Sequence, residues 1–168
     1  MSSDSQAYTS ASELAEQIRS RQISPIEVIE AALRRIDTLQ PTLNAFITVA
    51  RDQAMDDARK AEGAIARGDD LGPLHGVPVA VKDQCSPKGI RTTAGSTILW
   101  DFVPDYDATV VTGLKNAGAI MLGKLNMTEF AMGDPITSAF GVTHNPWDLT
   151  RNPGTSSTGS GAATASFM

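Results

Sequence analysis

A change of texture at Gly68 limits what this chain can fold into more than any other feature. Before Gly68, apolar residues recur at helical spacing; after it, short apolar runs are separated by glycine, proline and hydroxyl residues. In the first part, Ser10 with Glu13 and Ser24 with Glu27 have the spacing of reciprocal helix caps. Pro25 stands where a first helical residue would, which suits its fixed φ. Behind it, Val28, Ile29, Ala32, Leu33 and Ile36 fall on one helical face, and Pro41 is expected to end that helix. A third helix is expected from about Asp52 to Arg67, closing at Gly68.

After Gly68 the expectation is strand, loop, helix, strand. Val77 to Val81 reads as a short buried strand and Ala119 to Leu122 as a second. Between them lie a Gly/Thr/Ser loop through Thr97 and a helix from Ala108 to Asn116, with Gly118 just beyond its end. This order predicts an α/β fold: N-terminal helices, then part of a sheet with parallel neighbours and covering helices. The 168 residues suffice for one domain with its own core, and no linker or internal repeat divides them. Residues 1–9, polar and serine-rich, are expected to be disordered or extended.

Charge and composition remove several classes of function. A net charge of −5 without any Lys/Arg block argues against direct nucleic-acid binding. No apolar run reaches the roughly 20 residues needed to span a bilayer, and the N-terminus lacks the pattern of a signal peptide. Cys85, the single cysteine, cannot form an internal disulfide, so a cytoplasmic setting is expected. His75 and His144 have no metal-ligand spacing, so neither a metal nor another cofactor is expected. No G-x-S-x-G elbow occurs. Gly154 and Gly159 have the glycine spacing of a phosphate loop, but Ser160-Gly161 stands where its Lys-Ser/Thr pair belongs.

Two features remain. Lys82 ends the first apolar strand; it either turns out to solvent or serves as a base, a role that desolvation favours in a lysine. The run Thr155-Ser156-Ser157-Thr158 is either a flexible loop, a cap for the small-residue helix after it, or a source of reactive hydroxyls.

Four ordered segments join these features. Gly72-Pro73-Leu74-His75-Gly76-Val77-Pro78-Val79-Ala80-Val81-Lys82-Asp83 comes first, then Gly123-Lys124-Leu125-Asn126-Met127-Thr128-Glu129-Phe130-Ala131-Met132-Gly133. Phe140-Gly141 with Asn145-Pro146-Trp147-Asp148 follows, and then Arg151-Asn152-Pro153-Gly154-Thr155-Ser156-Ser157. In order and spacing they resemble the amidase-signature family, from about Ser10 to the last residue.

The resemblance implies that family's α/β fold, here incomplete, and hydrolysis of amide C–N bonds through a Ser-Ser-Lys triad without a cofactor. By position Lys82 is the triad base and Ser156 the bridging serine, preceded by a cis peptide bond that is expected to relax to trans in this chain alone. Ser157 is a neighbouring hydrogen-bond partner, and Met132 and Gly133 are substrate-binding. The resemblance implies a small-molecule amide as substrate and allows a homodimer.

Two departures stand out. Thr155 and Thr158 occupy positions where the family usually has glycine. The acyl-forming serine and its glycine-rich oxyanion loop lie downstream of Ser156 in the family, and no matching motif occurs before Met168. The expectation is therefore a truncated amidase domain, inactive alone, with open sheet edges and exposed apolar surface. Two alternatives stand beside it: glutamine amide hydrolysis that feeds ammonia to charged tRNA with partner subunits, and a non-catalytic chain.

Overall fold

In the computed structural model, which describes residues 5–69 and 71–168, helices cover both faces of a small mixed sheet. Helix α1 spans Ala11–Arg19 and α2 spans Pro25–Leu43. Both begin with the expected reciprocal caps, Ser10 with Glu13 and Ser24 with Glu27. Residues Ser5–Tyr8 form a 3₁₀ turn rather than an extended segment; the first four residues lie outside those described.

Pro41 does not end α2. It sits in the last turn, and the helix closes instead at Asn44, whose left-handed backbone lets its N–H reach Gln40 O. A proline this close to the end removes only one hydrogen bond, and the remaining turn stays intact.

Strand β1, Phe46–Val49, follows and was not expected from the sequence. Four residues are too few to show an alternation, and only Phe46 is fully buried. Helix α3, Arg51–Arg67, closes at the left-handed Gly68. Strand β2, Pro78–Lys82, helix α4, Thr109–Asn116, and strand β3, Ile120–Leu125, then form a parallel unit with a crossover helix. The sheet order is β1-β3-β2, with β1 antiparallel and β2 parallel to the central β3. Helix α5, Thr158–Ala165, ends the chain's regular structure.

The sheet's two faces carry different cores. Ile120, Leu122 and Leu125 pack with Ile29, Leu33 and Ile36 of α2, Ala54 and Ala58 of α3, and Ala162 and Ala163 of α5. Val81 and Met121 face the other way, against Ile90 and Val111 of α4. A third cluster joins Leu14 and Ile18 of α1 to Ile23, Val28 and Ile65.

β3 runs three residues beyond the expected end at Leu122, through Gly123 and Lys124. The register shifts there: Val79 pairs with Met121, but Ala80 pairs with Gly123. Leu122 is thus an extra residue, a bulge that reverses the alternation beyond it. Leu125 falls on the face of α2 and α5, and Lys124 on the face of Val81. Gly123 is required because a Cβ there would overlap the Thr48 carbonyl oxygen of β1.

α5 sits on the sheet through small residues only. A Cβ on Gly159 would overlap Ala45 O and the Asn126 backbone N. We expect Gly159→Ala to destabilise the chain by about 2–3 kcal/mol, the usual cost of overpacking a close contact. The check is the thermal midpoint, with a drop of roughly 4–12 °C for a chain of this size; an unchanged midpoint contradicts the close seating of α5.

Candidate active site

Lys82 is the last residue of β2, on the sheet face that α5 covers; its register partner Leu125 packs in the core beneath that helix. Its half-buried side chain reaches Ser156, where Nζ donates a hydrogen bond to Oγ at 2.5 Å. These residues are 74 apart in sequence, so the contact depends on how α5's entry is fixed against the sheet. The Thr155–Ser156 peptide bond is cis, not relaxed to trans. Ser156 is held from both ends: its hydroxyl by Lys82 and its carbonyl oxygen by the Thr128 N–H, at 3.1 Å.

Asn126, directly after β3, organises the loops around this point. Its backbone N–H donates to Ala45 O and its carbonyl accepts from Gly159 N–H, both at 2.8 Å. Its side-chain amide donates to Asn44 O and Gly141 O, while Oδ1 accepts from Met127 N–H and the Ser138 hydroxyl. The end of α2, the 138–141 loop and the start of α5 therefore meet on one buried residue. Sequence reasoning gave Asn126 no role; its place directly after an apolar strand was the available signal.

The two threonines at the usual glycine positions fit without crowding. Thr155 is exposed. Thr158 is buried, and its hydroxyl pairs with that of Thr143 at 3.2 Å, which in turn bonds Asn44 O.

Ser157 occupies the N-cap position of α5, and its hydroxyl makes no capping bond. No hydrogen bond joins its side chain to Ser156 or Lys82 among the described residues. Met132 and Gly133 lie in an exposed loop that leaves the site at Thr128; Met132 is 74% exposed. The large groove of this structure, about 780 Å³, lies elsewhere, along Val77–Ala80, α2 and Phe167–Met168.

On the opposite face of the sheet from Lys82 is a buried ion pair that sequence reasoning left unassigned. Lys124 Nζ donates to Asp83 Oδ1 at 3.0 Å and to the Thr92 hydroxyl at 2.7 Å, and both charged side chains are fully buried. Burial pushes the Lys124 amine below the ordinary lysine range, and the Asp83 carboxylate partly offsets this. Asp83 Oδ2 accepts from the Thr93 N–H and hydroxyl, at 2.9 and 2.5 Å.

Both histidines bond backbone oxygens, His75 to Ala61 O and His144 to Leu149 O. Among the described residues no group of three His, Cys, Asp or Glu side chains could hold a metal, and no helix is long and apolar enough to cross a membrane.

Comparison with known proteins brings in relatives of the same type. The family model described as Amidase matches residues 27–168. A glutamyl-tRNA(Gln) amidotransferase subunit of Carboxydothermus hydrogenoformans is 51% identical over 159 residues, covering 94% of this chain and 33% of that protein. The corresponding subunit from Cutibacterium acnes is 53% identical, with 94% and 32% covered. Among solved structures, the peptide amidase of Stenotrophomonas maltophilia superposes with a TM-score of 0.87 at 34% identity, covering 93% of this chain and 34% of its own. A fatty acid amide hydrolase superposes with a TM-score of 0.93 at 26% identity, with 98% and 29% covered. The chain spans about a third of the length of these relatives.

Thr128 gives a test of the packing here. Its hydroxyl is fully buried without a hydrogen-bond partner among the described residues. Replacing an unsatisfied buried hydroxyl with a methyl of similar shape removes a desolvation penalty. We expect Thr128→Val to be neutral or stabilising by on the order of 1 kcal/mol in urea denaturation. A clear loss of stability would mean that the hydroxyl is partnered in solution.

Proposed function

The chain belongs to the amidase family, and on that footing we propose that it carries the proton-relay half of an amide-hydrolysing site. The observation that carries this reading is the hydrogen bond between Lys82 Nζ and Ser156 Oγ. A serine hydroxyl becomes a useful nucleophile only when a base takes its proton. A hydroxyl both donates and accepts, so Ser156 can pass a proton to a neutral Lys82 while receiving one from a nucleophilic hydroxyl beside it.

In this reading the nucleophile attacks the amide carbonyl, backbone N–H groups hold the oxyanion, and Lys82 returns the proton through Ser156 to the leaving amine. Water then releases the acid. The nucleophile and its oxyanion loop come from polypeptide outside these 168 residues, which form the N-terminal portion of a larger amidase domain; the threefold greater length of the relatives supports this. The substrate is a small-molecule amide, with Met132 and Gly133 on its side of the site, where their loop leaves Thr128 beside Ser156. Ser157 stays a neighbour of the relay rather than a member. We place the reaction in the cytoplasm, where the unpaired Cys85 stays reduced. Exposed Ile98, Val103 and Ile136 suit a homodimer.

One observation favours a second reading. Relatives more than 50% identical are named as subunits of a glutamyl-tRNA(Gln) amidotransferase, whereas the matched structures named as amidases or hydrolases are 26–34% identical. In that case the amide is glutamine and the released ammonia passes to an acceptor held by partner subunits. Glutaminase activity that rises when such partners are added separates the two readings.

The chain by itself is expected to show no p-nitroanilide turnover and no labelling by a fluorophosphonate serine probe. Turnover abolished by Lys82→Ala would overturn that expectation. Within the longer polypeptide, Lys82→Ala is expected to lower kcat by about 10²–10⁴-fold, the usual worth of a positioned base, with Ser156→Ala close behind. A near-normal rate at neutral pH would remove Lys82 from the reaction.

A further inference from the structure

We infer that the buried Asp83–Lys124 pair is a positioning device: it locks the end of β2 against β3 so that Lys82 is delivered to Ser156. The inference rests on the reading of Lys82 as a base only for its purpose; the contact it concerns is geometric.

Lys82 and Asp83 are consecutive and leave the sheet on opposite faces, Lys82 towards Ser156 and Asp83 towards Lys124. Asp83 has little freedom. Its N–H donates to Leu125 O at 3.0 Å and its carbonyl accepts from Ala94 N–H at 3.2 Å. One carboxylate oxygen meets Lys124 and the other meets Thr93 twice. A residue fixed at all these points fixes the backbone from which the preceding side chain departs.

The bulge at Leu122 makes this arrangement possible. Without the extra residue, strand alternation would put Lys124 on the face of Ile120 and Leu122, among the apolar side chains beneath α2 and α5. With it, Lys124 lies beside Val81 and meets Asp83, while Leu125 pairs with Lys82. Stability alone does not call for such a pair, because well-packed apolar residues commonly replace a buried ion pair at no loss. What an apolar pair would not supply is a directional anchor on the residue next to Lys82. The same burial lowers the Lys124 pKa, and the Asp83 carboxylate partly offsets this.

The test uses the 168-residue chain and the side-chain NMR signals of its five lysines. Lys82→Arg assigns the Lys82 signal. In the unmodified chain, Ser156→Ala should move that signal, which reports the contact itself. In the double variant Asp83→Asn/Lys124→Met no buried charge is left unpaired; its fold is checked by backbone spectra and a cooperative melt. There we expect the Lys82 signal to become insensitive to Ser156→Ala. If the folded double variant keeps the full response, the positioning role is wrong and Lys82 stands as a base without it. If Ser156→Ala leaves the Lys82 signal unmoved in the unmodified chain, the contact is absent and both readings fall. Should the double variant fail to fold, Asp83→Leu/Lys124→Met replaces the pair with apolar side chains, which commonly substitute for a buried ion pair without loss of stability. We expect the Lys82 signal to lose its response to Ser156→Ala there as well, and an undiminished response overturns the inference.

Discussion

Asn126 is the constraint on which the rest of the site depends. Six hydrogen bonds converge on one fully buried residue: two from its backbone groups and four at its side-chain amide. A buried amide is stabilising only when its donors and acceptors are all met, because each group left unpaired keeps its full desolvation cost. The segments that meet it therefore form together or not at all. They include the residue before β1, the 138–141 loop and the first turn of α5, all distant in sequence from one another. Ser156 lies three residues before Gly159, which donates to Asn126, and its carbonyl oxygen is bonded to Thr128, two residues past Asn126. The position of the Ser156 hydroxyl thus follows from a network that does not touch the hydroxyl itself.

The packing of α5 explains why the sequence around it is so poor in large side chains. Its N-terminus approaches backbone, not side chains, at Ala45 and Asn126, and only glycine at 159 permits this. Ala162 and Ala163 then complete the core above the sheet. A small-residue helix contributes little apolar area per residue, so α5 gains its hold from close backbone approach and hydrogen bonds. The Thr143–Thr158 hydroxyl pair serves the same seam. The seating of α5 is thus close but buries little apolar area.

Much of the scaffold was legible in the sequence because its signals are local. The caps at Ser10 and Ser24, Pro25 at the start of α2 and Gly68 at the end of α3 each act within a few residues of themselves. The parallel β2–β3 pair with its crossover helix followed from the alternation of elements. What failed was what depends on distant partners. β1 is a strand because β3 offers it an edge, not because of its own four residues. Pro41 is tolerated inside α2 because it stands in the last turn, with only two helical residues after it. Gly123 and Lys124 looked like a strand's end, but Gly123 admits β1 and the charge of Lys124 is met by Asp83. The contact between Lys82 and Ser156 came from the order of four motifs, since neither residue alone distinguishes a base or a relay from a surface lysine or a loop serine.

These observations separate two kinds of charge at one strand end. Lys82 and Lys124 both belong to a sheet whose strands are largely apolar, yet they meet opposite environments. Lys124 is sealed, with a carboxylate and a hydroxyl as fixed partners, and removing Asp83 alone would strand a buried cation at a cost of about 3–5 kcal/mol. Lys82 is half-buried and its amine meets a hydroxyl rather than a carboxylate. The bulge at Leu122 keeps the two apart by sending Lys124 to the far side of the sheet, the side to which Asp83, next in sequence after Lys82, already points. The carboxylate nearest to Lys82 in sequence is thereby engaged elsewhere, and the amine is left to the serine.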